Sequence, residues 1–373
     1  MREKIANLSR ILSMSLLAAC STEISNEGRS DTDLPEDALQ AVILTVADDY
    51  TSAALATVTV DGRALSDTLA PVSTDPAVVV REGRVYQINR YGFDSIRVYI
   101  PGEWSAPTHD FSVGSGANPQ QVEVCGGKLF VSLYGKDFLG VYGLNGEATA
   151  SAVSLDQEAD ADGLPEAASM VLAENRLYVA LNKLDQQNGW IPSGAGRVVA
   201  IDCATDTVVD GWDVGPNPSI VAYPGDASKI IVRTGIYYDS DYAPLFDGAL
   251  SVLDLSSGTS TELVSETAIS ENITDVVATD DGALFLTENA ESEYGVHCLD
   301  LANSEHRLIE RTSSFLIDAS VNELGEVWVA ARPNWAHVEA NVGTAIYDLK
   351  TCASLNAGGW LQTTLPPYAI AFY

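Results

Sequence analysis

The chain has 373 residues, 52 acidic against 20 Lys and Arg, giving a formal net charge of −32, with 46% of its residues hydrophobic. Such a chain can bury a core, and a repeat architecture absorbs the whole length in one domain. The charge excludes nucleic acid, whose phosphates are neutralised by Lys and Arg, and electrostatic attraction to anionic lipid; cations and neutral ligands remain, and solubility alone is the plainer reading of the charge.

Arg2, Lys4 and Arg10 precede the apolar run Ile11 to Leu17, which ends in small residues before Cys20. This order predicts an export signal over residues 1–19, and the run is too short to span a bilayer as a mature helix. Leu17-Ala18-Ala19-Cys20 resembles the lipobox of bacterial lipoproteins. The resemblance implies cleavage before Cys20, lipidation of its thiol and attachment to a membrane of the cell envelope; Ser21 resembles the residue found in lipoproteins sent to the outer membrane. The alternative is an ordinary secretory signal with a chance Cys. Residues 20–40 are mostly Ser, Glu, Asn, Asp and Thr without apolar period, which predicts a flexible tether.

From Ala41 onward one unit recurs: a Pro-marked or polar entry, an alternating strand, a turn, a β-branched and aromatic strand, a loop, then two more strands. Entries read Asp75-Pro76-Ala77-Val78, Asn118-Pro119-Gln120-Gln121-Val122 and Asn217-Pro218-Ser219-Ile220. Second strands read Val85-Tyr86-Gln87-Ile88, Leu129-Phe130-Val131-Ser132, Leu177-Tyr178-Val179-Ala180, Ile230-Ile231-Val232-Arg233, Leu284-Phe285-Leu286-Thr287 and Val327-Trp328-Val329-Ala330. Several third strands end in Asp before a turn, at Asp202, Asp254, Asp300 and Asp348. No stretch carries a helical period. The repeat predicts an all-β, seven-bladed β-propeller over residues 41–373, with six or eight blades as the runner-up. Its first blade is composite: three strands come from residues 41–70, and the innermost is the apolar C-terminal segment Pro366-Pro367-Tyr368-Ala369-Ile370-Ala371-Phe372-Tyr373. Pairing the two ends removes the exposed strand edges that an open array would need to cap.

The Asn-Pro entries and Leu-Tyr-Val-type second strands resemble YVTN-type β-propellers, found in many exported bacterial proteins, over residues 41–373. Ile88-Asn89-Arg90-Tyr91-Gly92, Ser132-Leu133-Tyr134-Gly135 and Asp160-Ala161-Asp162-Gly163-Leu164-Pro165-Glu166 further resemble a group of propeller lipoproteins mostly without assigned function. The resemblance implies the fold rather than an activity, because propellers host binding modules, lactonases, lyases and redox enzymes alike.

In an antiparallel blade, the loops from second to third strand and those joining successive blades emerge on one face. That face holds the long insertions 89–94, 182–196, 234–248 and 332–343, carrying Trp190, Tyr237, Tyr238, Tyr242, Phe246 and Trp335. They form a binding surface or pack the loops onto the blades. Aligned second strands place Asp48, Arg90, Tyr134, Asn182, Arg233, Asn289 and Arg332 near the same face, with Asn89 and Glu288 beside them. Such a ring either binds a small polar or anionic ligand or closes the channel with its own ion pairs. Asp160, Asp162 and Glu166 gather hard oxygens around Gly163, a set that suits Ca2+ or a solvated acidic loop; Asp239, Asp241 and Asp247 form a looser set.

The chain has no Cys-x-x-Cys-His for haem attachment and no Gly-x-Ser-x-Gly elbow. Its four His are scattered, and only His337 lies in an insertion placed for metal-assisted chemistry. Cys125, Cys203, Cys298 and Cys352 allow two disulfides in three connectivities, or a buried apolar Cys298. The leading expectation is a lipid-anchored envelope propeller that binds a protein or a small polar ligand through its loop-rich face, as a binding or scaffold module without a complete catalytic constellation. The rival is a divalent-metal-assisted hydrolase or lyase of the lactonase or lyase kind.

Overall fold

Seven four-stranded antiparallel sheets form a ring in the computed structural model, which describes residues 39–149, 151–235, 238, 244–337 and 340–373. Cys20, the expected signal and most of the expected tether lie outside the described residues, as do Tyr237, Asp239, Asp241 and Tyr242.

Blade 1 is composite, as the sequence predicts. Its innermost strand is Pro367–Phe372, followed outward by Gln40–Val46, Ala53–Thr59 and Leu65–Pro71. The two termini pair antiparallel from Ala41 opposite Phe372 to Thr45 opposite Pro367. Gln40 and Tyr373 exchange two backbone hydrogen bonds of 2.9 Å beyond that ladder. Blades 2 to 7 begin with innermost strands Pro76–Arg81, Pro119–Cys125, Ala167–Ala173, Ser219–Ala222, Asn272–Thr279 and Phe315–Val321. Each then runs outward in chain order to its fourth strand.

Blade sheets stand edge-on to the axis, so both faces of a sheet meet a neighbour and inner strands read as continuous apolar runs rather than as alternation. Apolar clusters fill every gap around the ring, the largest spanning blades 7, 1 and 2 with Leu44, Leu55, Tyr99, Trp104, Trp328 and Ile370. Trp328 stands edge-on to Phe372 with ring centroids 5.4 Å apart, so the terminal strand is packed as well as paired.

The repeated Asp at the end of third strands has a local cause. Asp202, Asp254, Asp300 and Asp348 each accept a backbone N–H from two or three residues ahead, at 2.7 to 3.0 Å. This closes the turn into the outermost strand. The residue four positions on is left-handed in every case: Asp206, Gly258, Ser304 and Cys352, at φ of 53° to 70°. Asn-Pro entries follow the same logic, with Asn118 and Asn217 at φ 47° and 49°, a conformation Asn tolerates better than most residues.

Both possible disulfides form, and each ties neighbouring blades. Cys125–Cys203 joins blades 3 and 4; Cys298–Cys352 joins blades 6 and 7, so Cys298 is not a lone buried thiol.

Candidate functional site

Innermost strands present an unpaired backbone edge to the axis, and buried N–H and C=O groups need partners. Polar side chains of the neighbouring blade supply them. Gln121 of blade 3 clamps Met170 of blade 4, accepting its N–H at 2.7 Å and donating to its C=O at 2.9 Å. Ser169 of blade 4 accepts the N–H of Ile220, Asp275 of blade 6 that of Ala319, and Asp318 of blade 7 that of Ile370, at 2.8 to 2.9 Å. In blades 3, 4, 6 and 7 the latch sits where the inner strand slips register against its partner, a bulge that re-aims a side chain. Burial pushes the Asp275 carboxyl up to about 7, and burial together with the Asp275 charge pushes Asp318 well above the usual range. These four residues were missed by the sequence reading. Their signal is a polar residue interrupting an apolar inner strand, as in Asn272-Ile273-Thr274-Asp275-Val276.

The expected ring at the mouth lies above these latches, and most of it is turned inward. Asn89, Arg90, Tyr134, Asn182, Arg233, Glu288 and Arg332 are all buried, whereas Asp48 is exposed. Arg90 pairs with Asp75 at 2.7 Å, and the Tyr368 hydroxyl donates to the same carboxylate, which joins blades 1 and 2. Asn89 bonds Gln87 and Ser95; Asn182 donates to Asn217. Arg233 reaches the Ile273 carbonyl of the next blade at 3.5 Å, and Glu288 shares a hydrogen bond with Tyr294. Arg332 pins the closure: it donates to the carbonyls of Val46 and Ala47 at the end of strand Gln40–Val46 and of Pro366 and Pro367 at the beginning of the terminal strand. Its distance to Asp48 is 3.9 Å, so carbonyls rather than a close ion pair hold it. Arg90, Asn89, Asn182, Arg233, Glu288 and Arg332 are therefore engaged in inter-blade and intra-blade ties.

Acidic side chains hold the insertions. Glu166 is fully buried; it accepts the N–H of Leu184 and the side-chain amide of Gln186, both at 3.0 Å. Asp162 accepts the N–H groups of Leu164 and Gln186, and Asp160 those of Asp162 and the Ser193 hydroxyl. The expected calcium trio thus spends its oxygens on N–H and O–H donors of its own loop and of the 182–196 insertion. Among the described residues no group of three or more His, Cys, Asp or Glu is placed to hold a metal ion. Burial pushes Glu166 up to about 8. Glu266 does the same work for the next insertion, in the single helical turn Glu266–Ile269: it accepts the N–H of Gly248 at 2.8 Å and of Ile273 at 2.7 Å, and burial raises it to about 7.

The aromatic residues divide into two groups. Trp190 stacks on Tyr134 at 5.9 Å and packs its insertion against Leu184 and Ala168, and Phe246 is half-buried. Among the described residues four aromatic side chains are exposed: Tyr50 at 36%, Tyr91 at 64%, Phe93 at 51% and Trp335 at 70%. All four lie in second-to-third strand loops, and those loops belong to blades 1, 2 and 7, consecutive around the ring. Phe93 went unremarked in the sequence reading and Tyr91 entered only within the resemblance motif 88–92, although insertion 89–94 contains both. His337 lies in this sector with its Nε2 3.1 Å from the Glu291 carbonyl.

No family model matches this chain, nor does any curated protein sequence. Solved structures of similar fold include a candidate 6-phosphogluconolactonase from Bacteroides fragilis, at TM-score 0.62 and 12% identity over 93% of this chain and all of that one. A second, from Bacteroides uniformis, has TM-score 0.58 and 10% identity over 90% of this chain and all of that one. Apo AztD from Citrobacter koseri has TM-score 0.51 and 12% identity over 90% of this chain and 97% of that one. At such identities the likeness is one of fold.

Proposed function

We propose that the protein is a lipid-anchored propeller of the cell envelope that serves as a ligand- or protein-binding and scaffold module through its loop-bearing face. The observation that carries this reading is the concentration of exposed aromatic side chains on the loops of three adjacent blades. Rings of this kind give large contact area at low entropic cost and are enriched where proteins bind. The polar groups beneath them are engaged with one another, which makes the mouth a rigid base for the loops. Two inter-blade disulfides suit the oxidising compartment that an exported chain reaches. The lactonase-named structures share the fold at 12% and 10% identity; a metal-assisted hydrolase would need His337 to converge with carboxylates, and its ring faces a backbone carbonyl instead.

The test is the variant Tyr91→Ser/Phe93→Ser/Trp335→Ser, with Ile100→Ser/Leu324→Ser on the opposite face as control. The first should keep the wild-type melting curve and lose the partners that co-purify from solubilised envelopes; the control should keep both. Divalent-metal-dependent turnover of lactones by the wild type, with partner recovery unchanged in the first variant, would replace this reading with the enzymatic one.

A further inference from the structure

We propose that the sector of the loop face formed by blades 7, 1 and 2 docks a basic segment of a partner protein, whose Lys and Arg side chains lie over the exposed rings and pair with Asp48, Asp49 and Glu291. This rests on the binding reading above and names the chemistry of the occupant.

The exposed charge of the sector has one sign. Its loops read Ala47-Asp48-Asp49-Tyr50-Thr51-Ser52, Arg90-Tyr91-Gly92-Phe93-Asp94, Asn289-Ala290-Glu291-Ser292-Glu293 in adjoining blade 6, and Pro333-Asn334-Trp335-Ala336-His337. Asp48, Asp49 and Glu291 are exposed, and the one Arg among these loops, Arg90, is buried against Asp75. Loops that join ring quadrupoles to carboxylates and themselves carry no exposed Lys or Arg suit a cation and repel an acidic partner; Lys136 of adjoining blade 3 donates to the Ser115 carbonyl at 3.0 Å. One guanidinium of the sector, held by carbonyls, already lies against two rings. Arg332 lies 5.6 Å from the centroid of the Tyr50 ring and 5.2 Å from that of Tyr368.

The rings also sit on short, internally bonded turns, so little ordering is left to do on binding. Tyr50 N–H donates to Ala47 and Phe93 N–H to Arg90, at 3.0 and 2.9 Å. Asn334 anchors the Trp335 turn to blade 6 through the Ser292 carbonyl at 2.7 Å and accepts the Ala336 N–H at 2.9 Å. A chain of net charge −32 attracts any polycation loosely, so the discriminating variable is the rings, whose removal changes no charge.

The experiment measures binding of labelled octa-arginine and octa-glutamate peptides to the full chain, at physiological and raised salt. Octa-arginine should bind and octa-glutamate should not. Tyr91→Ala/Phe93→Ala/Trp335→Ala should weaken octa-arginine binding by about tenfold or more, with an unchanged melting curve, and Asp48→Asn/Asp49→Asn should weaken it further. Equal binding by the ring variant and wild type would reduce the interaction to overall charge and overturn the proposal. If octa-arginine fails to bind while cross-linkers placed on this face capture a neutral or acidic protein, the basic occupant is wrong and the binding reading stands. If neither is seen, both fall.

Discussion

Deleting residues 367–373 should unfold the ring. The segment is the innermost strand of blade 1, and Pro367 to Phe372 are buried throughout. Tyr368, Ile370 and Phe372 are exposed by only 3%, 0% and 7%. Full burial of such a side chain contributes about 1.5 to 3 kcal/mol, so the three together contribute roughly 5 to 9 kcal/mol. That is comparable with the total stability of a typical domain, about 5 to 15 kcal/mol. The deletion also strands Asp318 and Ser320 of blade 7, which bond the N–H and C=O of Ile370 at 2.8 Å. It takes two of the carbonyl partners of Arg332 out of the closure, Pro367 directly and Pro366 by freeing the chain end. Urea and thermal unfolding followed by circular dichroism are the assay. Deletion should give aggregation or loss of a cooperative transition, and deletion of residues 21–35 should leave the transition in place. A C-terminal deletion that melts like the intact chain would refute the reasoning, because the last strand would then be an appendage.

Further outcomes follow from the buried acids and the N-terminus. Asp275, Glu266 and Glu166 are raised to about 7, 7 and 8, so the folded chain keeps protons that the unfolded chain releases near pH 4. Their contribution is full below that range and is lost as pH rises through 7 to 8, on the order of 1 kcal/mol per unit for each group. Melting temperature should therefore fall from pH 5 to pH 9, and Asp275→Asn should flatten the slope; a flat or rising wild-type profile would refute the assignment. Hydrogen bonds from His297, Arg311 and Thr287 outweigh burial at Glu271 and hold it at about 2, so its contribution disappears only as pH falls from about 4 toward 2. Cys20→Ser should abolish lipid labelling and release the protein into the soluble fraction, and continued membrane association of the variant would exclude the anchor.

Much of the architecture was legible because each blade repeats the same local chemistry. The Asp turn after third strands, the left-handed Asn before Pro and the apolar terminal segment are properties of a few adjacent residues. What the mouth residues do was less legible, since that depends on register between blades. Arg332 aligns with Arg90 and Arg233 near the face, but nothing in its neighbours shows that four carbonyls from the two strands that close the ring converge on it. Glu166 lies beside Asp160 and Asp162 in sequence and reads as a cation ligand. Only the fold brings Leu184 and Gln186 to its oxygens. Asp275 and Asp318 passed unnoticed because a lone acid in a strand has no meaning until the unpaired edge of the next blade is beside it.

The central claim, that this propeller works by docking on one face, is tested most directly by photo-cross-linkers placed at positions 91, 335 and 324 of the otherwise intact protein in the cells that produce it. Positions 91 and 335 lie in second-to-third strand loops, and 324 in the opposite loop between the first two strands of blade 7; all three side chains are exposed. The account predicts discrete adducts from 91 and 335 and none from 324. Adducts from 324 alone, or equally from all three, would contradict it.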